Sequence, residues 1–215
     1  MNAPGPSPAD IEVYADVWCP FAHVGLRLVD EQRREHRPDI GLIVHAWPLE
    51  LVNGVAMNPA SARRHADELR DQVAPTLFGD LDEENFPTST LEALALIAGA
   101  YRHGNSTGAE ASLAVRDALF EHGLDISDPT VLAALAAGLG IGLPDDTDRH
   151  AVLDDWHTGQ ERGVLGSPHF FAGDANVFCP SLAISKDERG NLTIDADRTK
   201  LDTFLRRIFQ EPAPS

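Results

Sequence analysis

The stretch Asp16-Val17-Trp18-Cys19-Pro20-Phe21-Ala22-His23 decides how this chain folds. Before it, Ile11-Glu12-Val13-Tyr14-Ala15 alternates apolar and polar residues and predicts a short strand. After it, Val24, Leu28 and Val29 fall at helical spacing, with Arg27, Asp30, Glu31 and Arg34 on the other face. Cys19 therefore stands where a strand ends and a helix begins. Pro20 takes the first helical turn, where a missing N–H costs nothing. A thiol at that place meets unpaired amides and the positive end of the helix dipole, and both favour the thiolate. Ordinary cysteine titrates near 8.5, and helix-start positions lower this to about 3.5–7.5. Cys19 is thus a candidate nucleophile, expected to titrate well below an ordinary thiol. Taken by itself, a lone cysteine reads better as a small buried residue.

A second stretch changes that balance. Gly163-Val164-Leu165-Gly166-Ser167-Pro168-His169-Phe170-Phe171 is a Gly-rich loop running through a proline into an apolar run suited to a strand. With the strand–Cys-Pro–helix start, and with Ala118-Leu119-Phe120-Glu121-His122-Gly123-Leu124-Asp125-Ile126-Ser127-Asp128-Pro129 between the two, it resembles the thioredoxin-like DsbA family over nearly the whole chain. The resemblance implies an α/β, thioredoxin-like fold with an inserted all-helical domain. Residues 9–56 plus 163–215 would form the thioredoxin-like part and 57–162 the insertion. It also implies a cis Ser167–Pro168 bond whose loop lies against Cys19. Trp18, Pro20, Phe21, Ser167 and Pro168 are then the candidate substrate-binding residues.

One departure matters as much as the match. Redox-active members of the family carry Cys-x-x-Cys, whereas here the last position is Ala22, so no local disulfide can form. The related 2-hydroxychromene-2-carboxylate isomerases and kappa-class glutathione transferases show a similar pattern, with Ser-Pro-aromatic followed by a small residue. The reading is a thiol oxidoreductase working through one nucleophilic cysteine, with a thiol or disulfide substrate, small molecule or peptide. The alternative is a transferase or isomerase that depends on a low-molecular-weight thiol. No bound cofactor is expected; glutathione or another small thiol would serve as co-substrate.

Other residues are weighed against Cys19. His23 lies one helical turn on and is a second catalytic candidate, able to pair with the thiolate or donate a proton; lining the helix–sheet interface is the bland alternative. Asp16 could relay protons, though accepting backbone N–H bonds is the commoner role for such a carboxylate. Cys179 is a candidate resolving thiol. Pairing across a turn at Gly173-Asp174 would place it opposite His169, level with the proline loop. A strand-ending small hydrophobe is the competing reading. A metal site would need Cys19, His23, His169 and Cys179 to converge as a Cys₂His₂ set; none is expected. A further reading is a binding module on this scaffold whose chemistry has lapsed, with Ala22 as the trace. No Gly-x-Ser-x-Gly is present to suggest a serine hydrolase.

Composition narrows the rest. At 215 residues, 17 Lys and Arg against 34 Asp and Glu leave a formal net charge of −17, so nucleic acid and anionic membrane surfaces are poor partners. No apolar stretch approaches the ~20 residues a membrane helix needs. The tail Met1-Asn2-Ala3-Pro4-Gly5-Pro6-Ser7-Pro8 has no secretory pattern, and two cysteines 160 positions apart make no disulfide framework. A cytoplasmic, thiol-reducing compartment is the expectation, with a homodimer left open.

Along the chain, Ile40 to Trp47 predicts a second strand, parallel to the first across a helical crossover. From Pro59 to Arg162 almost everything reads helical, with a start at Ser127-Asp128-Pro129 and stops at Gly138, Gly140 and Gly142. His169–Ala172 and Asn176–Cys179 read as a hairpin. A second hairpin turns around Arg189-Gly190-Asn191. Leu201, Phe204, Leu205 and Ile208 mark the inward face of a last helix.

Overall fold

The computed structural model describes residues 10–179, 183–186, 192–195 and 199–210. Residues 1–9, 180–182, 187–191, 196–198 and 211–215, with the turn expected around Arg189-Gly190-Asn191, lie outside the described residues. β1 (Ile11–Ala15) leads through the Cys19 loop into α1 (Pro20–His36), which crosses over to β2 (Leu42–Ala46), parallel to β1. A long helical stretch follows: α2 (Leu49–Asn53), α3 (Pro59–Gln72), α4 (Leu91–Tyr101), α5 (Asn105–Phe120), α6 (Pro129–Leu139) and α7 (Asp146–Glu161). The chain then returns to the sheet with β3 (His169–Ala172) and β4 (Ala175–Phe178), both antiparallel, giving the order β2-β1-β3-β4. β5 (Ala183–Lys186) and β6 (Leu192–Asp195) pair as a separate ribbon, and α8 (Thr199–Gln210) ends the described chain. This is the α/β, thioredoxin-like architecture the sequence predicts.

β1 departs from its alternating pattern: Tyr14 is buried as well as Ile11, Val13 and Ala15. The reason is that β1 is central and both its faces are covered, so its alternation does not divide water from core. On one side Ile11, Val13 and Ala15 pack with Leu26 and Val29 of α1 and with Leu201, Phe204, Leu205 and Ile208 of α8. On the other, Tyr14 packs with Trp47 and Phe171. Trp18, three residues past β1, belongs instead to the core of the helical stretch, with Leu69, Phe86, Leu94 and Leu119.

Local signals set the helix starts. Asn58 accepts from Ser61 N ahead of Pro59, and Asp128 accepts from Thr130 N ahead of Pro129. Gly140, in the left-handed region at φ 68°, ends α6. The expectation of near-continuous helix fails between α3 and α4, where residues 73–90 are turns and loops. Pro75 and Pro87 withhold N–H donors there, and Phe78 sits at φ 65°.

The helical stretch also closes the β2 edge. Tyr101 Oη accepts from Val44 N at 2.7 Å and donates to Leu42 O at 3.1 Å, while Asp155 Oδ2 accepts from Ala46 N at 2.8 Å. The ring lies where α5 carries Gly108, whose added Cβ would come within 2.3 Å of it. Tyr101→Phe is expected to cost about 1–3 kcal/mol, since a strand amide and a strand carbonyl lose their partner. Urea unfolding of the variant beside the wild type measures this, and equal midpoints would contradict it.

Candidate functional site

Cys19 is the N-cap of α1, at φ −81° and ψ 112°, with Pro20 as the first helical residue. The Ser167–Pro168 peptide is cis. Ser167 ties the two loops together: its Oγ accepts from Asp16 N at 2.9 Å, and its carbonyl accepts from Cys19 Sγ at 3.2 Å. The approach is close because Gly25 of α1 faces the proline; a Cβ there would lie 3.5 Å from the Pro168 ring.

Cys179 reaches the same loop from the other side. Its N–H donates to Pro168 O at 2.9 Å, and it adopts a left-handed φ of 45°, uncommon for a residue with a side chain. The pairing is one residue tighter than expected, with Phe178 opposite His169 and Cys179 beyond it at the level of Pro168. The cause is a two-residue turn at Gly173-Asp174, which pairs Ala172 with Ala175. The carbonyls of adjacent residues thus accept from the two free cysteines, from the thiol of one and the backbone amide of the other.

Electrostatics correct the expectation of an acidic thiol. Cys19 is only 3% exposed, and burial pushes it above its ordinary value; Ser167 and the amides of Ala22 and Phe21 pull the other way without winning, and the Asp16 carboxylate adds to the rise. Cys179 is pushed up to about 12 by burial and by the neighbouring Cys19 charge. Desolvation outweighs the helix start here because the sulfur has lost the water that would solvate a thiolate. Asp16 is buried too and is raised to about 6, although Leu49 N donates to it at 2.5 Å and Trp18 N at 3.5 Å.

His23 does not turn to the thiol. Its Nε2 donates to Glu121 Oε1 at 2.6 Å, and its ring packs against Phe78 and Phe120. Burial lowers it to about 4, so it is neutral at pH 7. Burial pulls Glu121 upward, but bonds from His23 and from the amides of Phe78 and Gly79 hold it near 2. The helical stretch supplies this aromatic slot and its carboxylate, and neither shows in the residues around His23.

The other candidates divide. Trp18 has no exposed surface and stacks on Phe86, a core position with no face open to substrate. Pro20 is buried and Phe21 half-buried, its ring near His65. His169 is also committed: Nδ1 accepts from Leu165 N and Nε2 donates to Asn176 Oδ1. Both candidate histidines therefore already have partners, and among the described residues no group of His, Cys, Asp and Glu is placed to hold a metal.

Arg116 was missed from sequence. It sits on α5 without exposed surface and donates to Asp16 O at 3.2 Å, at the root of the Cys19 loop. Its signal was faint: an arginine between the inward positions Val115 and Leu119, one turn after Ser112.

Comparison with known proteins agrees with this architecture. A family model of the DSBA-like thioredoxin domain matches residues 10–186. No curated protein matches the chain. Among solved structures, the cytosolic disulfide reductase DsbM from Pseudomonas aeruginosa superposes with a TM-score of 0.63 at 15% identity, covering 92% of this chain and 97% of that one. The same reductase with GSH gives 0.61 at 16% identity, over 94% and 100%. A 2-hydroxychromene-2-carboxylate isomerase gives 0.60 at 17% identity, over 78% and 87%. At such identities the likeness is one of fold. No helix among the described residues is long and apolar enough to cross a membrane.

Proposed function

This chain belongs to the DSBA-like thioredoxin family, and from that premise we propose that it exchanges thiols and disulfides through Cys19 as its one nucleophile. The observation that carries this reading is the Cys19 sulfur at a helix N-cap, 3.2 Å from the carbonyl of the residue before a cis proline. In the exchange, the Cys19 sulfur attacks one sulfur of a disulfide RS–SR′. A Cys19–SR bond forms, the S–S bond breaks, and R′S⁻ leaves and takes up the proton that Cys19 loses. Ser167 supports the reacting anion: its oxygen already accepts from Asp16 N, and its hydroxyl proton is left to donate to the thiolate.

A small thiol then attacks the R sulfur, freeing Cys19 and carrying R away as a new disulfide. Cys179 is the competing resolver: it would attack the Cys19 sulfur and release RSH, leaving a Cys19–Cys179 disulfide. Its thiol is held up near 12, which favours the external thiol at neutral pH. Glutathione is a fitting co-substrate, since a reductase of this fold is known with GSH. Residues 9–56 plus 163–215 would carry the reaction, 57–162 would roof it, and a cytoplasmic, reducing compartment would supply the thiol.

The test is incubation with oxidised glutathione followed by intact-mass measurement and non-reducing digestion. One glutathione is expected on Cys19 and none on a Cys19→Ser protein, whose disulfide exchange should fall by at least about a hundredfold. A Cys19–Cys179 peptide pair would move the resolving role inside the chain, while an unmodified Cys19 would sink the proposal. The transferase or isomerase reading has Ala22 in its favour, because it leaves α1 without a second thiol beside Cys19. It requires glutathione to bind and react without ever forming a disulfide with Cys19.

A further inference from the structure

The loop from Gly163 to Ser167 brings a carbonyl to the Cys19 sulfur, yet its middle has little side chain to bury. At its start, Gly163 N donates to Gln160 O at 3.2 Å and Val164 N to Gly159 O at 2.9 Å, both carbonyls at the end of α7. At its end, Ser167 accepts from Asp16 N and from the Cys19 thiol. Between these anchors, Leu165 is 72% exposed and Gly166 has no side chain. Apolar burial therefore cannot seat these two residues. A backbone bond does: Leu165 N donates to Nδ1 of His169 at 3.2 Å.

His169 opens β3 one residue after the cis peptide and is only 3% exposed. Its Nε2 donates to Asn176 Oδ1 on β4 at 3.2 Å, and its ring packs against Phe171 and Phe178, with centroids 4.3 and 5.8 Å away. With the proton on Nε2, Nδ1 keeps the lone pair that the Leu165 amide needs. Burial lowers the ring below its ordinary value against the bond to Asn176, and the Arg162 charge adds to the fall, so it is neutral at pH 7. Arg162, capping α7, and Tyr14, opposite His169 on β1 and held protonated by its burial, are the charged and titratable groups facing it. The loop also lies close over β4, since a Cβ on Gly166 would come within 3.0 Å of the Phe178 ring.

We propose that His169 is a positioning residue for the exchange at Cys19: its imidazole clips Leu165 to the sheet and through it holds Ser167 against the reacting sulfur. It acts through the loop and not on the sulfur itself. The proposal rests on Cys19 being the nucleophile. Its consequence runs through Ser167, whose carbonyl accepts from the resting thiol and whose hydroxyl proton is left for the thiolate. Only Gly166 separates Leu165 from Ser167, so a shift at the clip passes to Ser167 through the most pliant residue of the loop. Opening the clip loosens Ser167 from Asp16 N as well as from the sulfur.

The experiment uses the full chain. Nitrogen NMR of the wild-type imidazole at pH 7 is expected to show the His169 proton on Nε2 and Nδ1 bare; this needs no substitution, and a proton on Nδ1 overturns the proposal. Amide hydrogen exchange then follows Leu165 and Asp16, and the rate at which oxidised glutathione modifies Cys19 follows the chemistry. His169→Gln reaches the Nε2 position and keeps a donor for Asn176, but leaves Leu165 without an acceptor. Both amides are expected to exchange about tenfold faster in it, and glutathione addition to slow about tenfold. His169→Asn places an oxygen near the Nδ1 position and is expected to rescue both readouts, although it fills less of the site than glutamine does. Unchanged Asp16 exchange and glutathione addition in a folded glutamine protein overturn the proposal. Equal losses in the two variants overturn it too, since the volume of the ring and not its acceptor would then matter. If wild-type Cys19 takes up no glutathione, the exchange reading fails by itself, while the ring spectrum and the two amides still decide the clip.

Discussion

Asp16→Asn is expected to gain about 3 kcal/mol in stability relative to the wild type as pH rises from about 4 to about 7. The Asp16 carboxyl is buried and raised from 3.8 to about 6, so the unfolded chain gives up this proton before the folded one does. Its contribution is fully present below pH 3.8 and is lost as pH rises through about 6. A shift of about two pH units, at about 1.4 kcal/mol each, sets the size of the effect.

His23 works in the opposite direction over nearly the same window. It is lowered from 6.5 to about 4, so its contribution is present above 6.5 and is lost as pH falls toward 4. The wild-type curve therefore conceals both groups, and only the difference between variant and wild type isolates Asp16. Urea unfolding across that pH range measures it, and two parallel curves would show that Asp16 does not titrate as its burial demands. The same substitution should lower the alkylation midpoint of Cys19, because the Asp16 charge is one of the influences that raise it.

Trp18→Ala should cost about 3–5 kcal/mol, the range for emptying a large aromatic site in a core. Trp18 has no exposed surface, and its ring stacks on Phe86 at 6.2 Å with 13° between the planes. It comes from the loop that positions Cys19 but packs into the helical stretch, so it fastens that stretch to the reactive loop. Trp18→Phe fills much of the space and should recover a large part of the loss. A Trp18→Ala protein as stable as the wild type would mean that the site collapses freely, and that the loop is held by Asp16 and Ser167 alone.

Much of the scaffold could be read without coordinates because the signals were local. Pro20 after Cys19, Asp128 ahead of Pro129, and Gly140 at the end of α6 act within a turn of themselves. The inward face of α8 repeats at helical spacing, and Leu201, Phe204, Leu205 and Ile208 are all buried. The proline loop was legible through a resemblance that spans both ends of the chain. What failed locally was the stretch 73–90, where prolines broke a helix that composition favoured.

The chain order therefore determined that a cysteine opens a helix beside a late proline loop, because strand, cap and turn preferences are settled by residues a few positions apart. Tertiary structure alone decided what surrounds that cysteine. His23 found Glu121 98 positions away, Arg116 reached Asp16 across 100, and a two-residue turn set Cys179 level with Pro168. It also decided the state of the thiol. Helix-start amides are a local property and favour the thiolate, whereas desolvation depends on everything folded around the sulfur, and here it is the larger effect.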